Sequence, residues 1–147
     1  MNDINKMINR AKELEKEIAL FLDDIGSNRD IMFNPLDFQC DNEDERFLLC
    51  QMKHIENGLI DVLTAIQYIS KPVKCEGTII LNNDGKCVIQ ETGKICKSGS
   101  QIEAYIYDEP TETHRWVLGT LQSSERGWYI SGYFNTNLHD VKVRIRE

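Results

Sequence analysis

Apolar residues recur near the start of the chain at alternating three- and four-residue steps: Ile4, Met7, Ala11, Leu14, Ile18, Phe21 and Ile25. Charged side chains such as Arg10, Glu13, Lys16 and Asp24 fill the other faces. This is the a/d stripe of a helix meant to pack against another helix. Ile8 and Leu22 widen it, Asn2 or Asp3 can cap its start, and Gly26 stands where a helix stop is wanted. The pattern predicts a helix over 3–25. A second stripe runs Leu48, Met52, Ile55, Leu59, Val62, Ile66 and Ile69, with Asp41, Glu43, Asp44 and Glu45 at its positive end and Pro72 beyond it. It predicts a helix over 42–70, with Gly58 inside at a cost of about 1 kcal/mol relative to alanine.

Two such helices form an antiparallel hairpin over 1–72, and each stripe exceeds what one partner can bury. The excess predicts either a core shared with the rest of the chain or homodimerisation into a four-helix bundle. Ile4, Met7, Leu14, Ile18, Phe21, Met52 and Leu59 are the dimer-interface candidates. The connection over 26–40 is long for a helical hairpin and carries Ile31, Met32, Phe33, Leu36 and Phe38. It either packs down or docks on a partner, with Phe33 and Phe38 as the candidate anchors.

At Lys71-Pro72 the period changes from three and four to two. Short alternating runs separated by turn clusters such as Asn82-Asn83-Asp84-Gly85 predict strands at 77–82, 86–91, 101–107, 114–122, 127–133 and 141–146. Ile102, Ala104 and Ile106 face one way, while Glu103, Tyr105 and Tyr107 face the other. Val143 and Ile145 likewise oppose Lys142, Arg144 and Arg146. Trp116, with Trp128 or Tyr129, is expected in the core. The fold class that follows is α+β: a helical hairpin, then over 73–147 a small antiparallel β-sheet or open barrel of five to six strands.

Gly77-Thr78, Asn82-Asn83-Asp84-Gly85, Ser98-Gly99-Ser100 with Ile102-Glu103, Trp116-Val117, Gly127-Trp128-Tyr129 and the closing Val143-Arg144-Ile145-Arg146 occur in that order. In this the stretch 77–146 resembles the domain of unknown function 5348, found in small proteins of Gram-positive mobile elements. The helices lie outside the resemblance, and the turn at 108–112 is longer than the family pattern. The resemblance implies a β module and a phage or mobile-element setting, and it brings no established activity with it.

The net charge of −7 is unevenly placed. Residues 1–70 hold seven Lys and Arg against fourteen Asp and Glu, while residues 71–147 hold ten of each. An acidic half and a neutral half disfavour general nucleic-acid binding. No apolar run is long enough to span a bilayer, and the opening MNDINKMINR lacks a signal-peptide core, so a cytoplasmic protein is expected. Cys40, Cys50, Cys75, Cys87 and Cys96 show no zinc-type close pair and read as reduced thiols, with Cys87 and Cys96 able to face each other across a strand pair.

His54, His114 and His139 form no metal-ligand spacing, and neither a hydrolase elbow nor a phosphate loop occurs, so no enzyme, no metal and no cofactor are expected. A binding surface has more support. Lys142, Arg144 and Arg146 line one strand face, and Tyr105, Tyr107, Trp116 and Trp128 lie on neighbouring strands. The reading is a non-catalytic interaction protein that binds and modulates or inhibits a host protein. The alternatives are a nucleic-acid-binding module using the Lys142–Arg146 strand, and a protein that sequesters a nucleotide-like ligand.

Overall fold

The computed structural model describes residues 3–27 and 34–147 and divides into a helical unit, 1–71, and a β unit, 72–147. In the first, helix α1 (Ile4–Asp24) is capped by Asp3, whose Oδ1 accepts the Asn5 N–H at 2.9 Å. It ends in a Schellman turn: Gly26 takes φ +75°, its N–H reaches the Asp23 carbonyl, and the Ser27 N–H reaches that of Leu22. Helix α2 (Glu43–Ser70) is capped by Asn42, which accepts from Glu45 N–H, while the Glu45 carboxylate reaches back to Asp41 N–H.

Ile18, Leu22 and Ile66 are buried between the helices, with Ala11, Ile25, Leu59, Ile60 and Leu63 packed around them. Ser27, just past α1, donates to the fully buried carboxylate of Glu56, which also takes Lys53 Nζ at 2.6 Å. The helices therefore run antiparallel, and the first part of α2 extends beyond the end of α1. Ile18 and Leu59, expected at a dimer interface, instead belong to the hairpin's own core.

The second unit has seven strands, one more than the upper end of the sequence reading: β1 (Val73–Leu81), β2 (Cys87–Ile89), β3 (Lys94–Cys96), β4 (Gln101–Asp108), β5 (Thr113–Ser124), β6 (Gly127–Ile130) and β7 (Lys142–Arg146). The added strand, β3, comes from the stretch Thr92-Gly93-Lys94-Ile95-Cys96. Gly93 at φ +69° turns the chain back onto Ile89, so the run predicted at 86–91 is a short hairpin arm.

All pairings are antiparallel, in the order β3-β2-β1-β7-β4-β5-β6, and the last strand is inserted between β1 and β4. The sheet curls into an open half-barrel. Ile79, Ile89, Ile102, Ala104, Val117, Leu121, Ile130, Leu138 and Val143 fill its concave side, and each is at most 4% exposed. The predicted alternation holds on β4 and β7, where Ile102, Ala104, Ile106, Val143 and Ile145 are buried.

Candidate interaction face

The convex face of β7, β4 and β5 gathers most of the predicted binding residues. β4 and β5 pair Tyr105 with Trp116 and Tyr107 with His114. Directly opposed residues on one face bring their side chains together, and the rings form a continuous row. The Tyr107–His114 centroids are 5.4 Å apart, His114–Tyr105 5.9 Å and Tyr105–Trp116 5.5 Å. The Arg144 guanidinium extends the row, 4.2 Å from the centre of the Trp116 ring, and Lys142 Nζ lies 5.9 Å from it. Tyr105 and Tyr107 stay 42% and 50% exposed, beside exposed Leu118.

Trp116 is thus a surface ring and not the core residue expected from its size. Val117 and Leu121 set the inward phase of β5, and Trp116, next to Val117, must point outward. Trp128 is the one of the Trp128–Tyr129 pair that packs against the concave core, as one of the two was expected to, and so it is absent from the ring row although it was also a binding candidate. Phe38 is exposed in the helical unit, after a short turn of 3₁₀ helix at Pro35–Asp37, and Phe33 lies outside the described residues.

The cations of β7 are not free-standing. Arg144 and Arg146 both direct Nε at the Glu103 carboxylate, Arg146 at 2.6 Å, and Lys142 reaches Glu76 at 2.7 Å. Glu103, read from the sequence as simply outward, is nearly covered by the two guanidiniums, with 7% of its side chain exposed. Burial opposes its ionisation, but the two arginine hydrogen bonds outweigh this and hold the carboxyl below its ordinary range. Two guanidiniums share this one carboxylate.

Sequence reasoning missed a second carboxylate. Asp108, at the end of β4, is 1% exposed and accepts from Arg115 Nε and Thr111 Oγ1, each at 2.7 Å, and from Tyr133 OH at 3.1 Å. These donors lower its pKa to about 2. It sits at the opening of the 109–112 turn, where Glu112 takes φ +53°, so its role is to fasten that turn. Its burial has no sequence signal beyond the strand phase shared with Ile106.

Cys87 and Cys96 do face each other, as direct partners across β2–β3, and both are buried. Hydrogen bonding to Cys96, with burial, raises the Cys87 pKa. All five cysteines are free thiols. Among the described residues no group of three or more His, Cys, Asp or Glu converges as metal ligands would, and no helix is long and apolar enough to cross a membrane. Comparison with protein-family models, with curated proteins and with solved structures finds no match for the chain.

Proposed function

We propose that this chain is a non-catalytic interaction protein that uses the convex face of its β unit to bind, and so to modulate or inhibit, a host protein. The observation that carries this reading is the unbroken row Tyr107, His114, Tyr105, Trp116 and Arg144. Tyr, Trp and Arg dominate the energetics of protein interfaces because they bring large, stiff contact areas with a polar handle. Here they stand on paired strands rather than on a loop, so little ordering cost falls on binding. The mobile-element setting implied by the resemblance of residues 77–146 fits a role directed at a host system, in a cytoplasm where the thiols stay reduced.

The second reading, single-stranded nucleic acid, draws on the same face, since rings stack on bases and cations follow phosphates. It draws less support, because Lys142, Arg144 and Arg146 already hold Glu76 and Glu103.

The test is capture of host proteins by the full chain and by a Tyr105→Ala/Trp116→Ala variant. Each captured partner is then purified and titrated against both forms. The reading expects one stoichiometric partner whose affinity falls at least 100-fold in the variant, while the melting temperature stays within a few degrees. Equal affinity for both forms overturns it. A steeply salt-dependent shift of single-stranded DNA or RNA, lost in the variant, replaces it with the second reading. A thermal shift with a nucleotide alone points instead to a sequestered small ligand.

A further inference from the structure

Among the described residues, the apolar cluster between the helices centres on three buried side chains, Ile18, Leu22 and Ile66. Beside it a second set of apolar side chains is left in solvent. On α1, Leu14 and Phe21 are exposed, four residues before and three after Ile18. On α2, Val62 and Ile69 stand at the same offsets from Ile66, and Ile55 continues the line one heptad back. Met7 and Leu48 prolong the two stripes at their ends, again at seven-residue steps.

Two antiparallel helices are related by a local two-fold axis normal to the plane they share. Equal offsets in the same sense from the core line therefore put both stripes on the same side of the hairpin. The result is one continuous apolar face and not two unrelated strips.

We propose that a second copy of this chain covers that face, closing a two-fold four-helix bundle. Three features argue for this occupant. The seven-residue repeat on both helices is the spacing at which one helix accepts the knobs of another, and a face that is itself two-fold fits its own copy. The stripe side chains offer on the order of 600 Å² a copy, near the ~800 Å² per partner of a standard interface once their neighbours are added. The third feature is Gly58, which borders the α2 stripe three residues after Ile55. Glycine is the poorest helix former after proline, and among the described residues nothing outside the adjoining turns of its own helix lies within 4 Å of where its Cβ would stand. The chain's own fold does not require a glycine there, whereas a helix crossing close over α2 does. The assembly is independent of what the β face binds.

The test is the solution mass of the full chain across 1–100 µM, by light scattering or sedimentation, for the wild type and three variants. The wild type is expected at twice 17.0 kDa. Val62→Asp is expected to raise the dimer dissociation constant at least 100-fold. Gly58→Leu, which improves helix propensity and whose Cβ meets no described residue outside its own helix turns, is expected to dissociate the dimer while raising or holding helix content by circular dichroism. Leu20→Asp, on the far side of α1 and 66% exposed, leaves the mass unchanged. A wild-type monomer at 100 µM overturns the proposal without recourse to any variant. So does a dimer that survives both Val62→Asp and Gly58→Leu. A monomer that Val62→Asp destabilises also overturns it and points to cover from within the same chain.

Discussion

Arg144 stands directly opposite Glu103 across the β7–β4 ladder, and the same guanidinium lies over the Trp116 ring of the next strand. One side chain thus neutralises a covered carboxylate and carries the ring row toward β7. Glu103→Gln keeps the shape of the cluster but removes the charge that Arg144 and Arg146, each only about a fifth exposed, share. The expected loss is about 2 kcal/mol in urea unfolding, below the full value for breaking a wholly buried pair because the guanidiniums keep some solvent. In a double-mutant cycle with Arg144→Ala the two changes are expected to couple by at least ~1 kcal/mol. Additive effects would show that the pair contributes nothing to stability.

Asp108 sets a pH dependence of definite sign. Its folded pKa is about 2, against about 3.9 for an unfolded aspartate. The unfolded chain therefore takes up the proton first as pH falls. The stabilisation is fully present above pH ~4 and is lost as the pH drops through the window toward 2. Asp108→Asn removes this contribution, so its melting temperature is expected to lie below that of the wild type at pH 6 and to converge on it toward pH 2. Parallel curves over that range would mean that the Arg115, Thr111 and Tyr133 contacts do not hold the carboxylate in solution.

The helices were legible to within a residue at each end, because stripe, cap and stop all agree. Asn42 and Asp3 cap, Gly26 terminates α1, and Pro72 follows α2. The strands were legible where alternation runs for five residues or more, as on β4 and β7. Where the strand is three residues long, as in β3, no alternation exists to read, and the Thr92-Gly93 turn looks like the end of a run rather than its middle.

The ring face was half legible. Tyr105 and Tyr107 follow from the phase of Ile102, Ala104 and Ile106. Trp116, expected inside for its size, is placed instead by phase: Val117 sends it outward. Alternation on β6 allows one of Trp128 and Tyr129 inside, and Trp128 is the one that packs on the core. The covering of Glu103 was invisible because it depends on β7 pairing beside β4, a contact between residues 41 and 43 positions apart. Glu56 and Ser27, joined across the hairpin, escaped for the same reason.

The cysteines divide by burial into two classes with different expected reactivity. Cys50 is exposed and Cys40 half-buried, whereas Cys75, Cys87 and Cys96 are buried. The Cys87 thiol is further held protonated by its neighbour Cys96 and by burial. Thiolate is the reactive form. A chromogenic disulfide reagent is therefore expected to titrate two thiols quickly in the native protein and the other three only at the rate of unfolding. Three or more fast thiols at neutral pH would open β1, β2 or β3 to solvent.

Gly77 tests how tightly β1 and β2 are joined. A Cβ at this position would lie 2.6 Å from Ile89 Cγ2 and would run into the Glu91 carboxylate. Neither group can yield freely. Ile89 is fully buried in the concave core, and Glu91 is engaged by the Thr78 N–H at 2.6 Å and by its hydroxyl at 3.1 Å. Those bonds, the backbone one foremost, lower the Glu91 pKa. Gly77→Ala must therefore displace a core side chain, break the Glu91–Thr78 clasp, or separate β1 from β2. An overpacked core of this kind costs about 1–3 kcal/mol, and that loss is expected in thermal or urea unfolding of the β unit. Glu91→Gln retains the acceptor oxygen for Thr78 and is expected to cost less than Gly77→Ala. If Gly77→Ala were neutral, β1 and β2 would not approach as closely as the Ile79–Ile89 register requires.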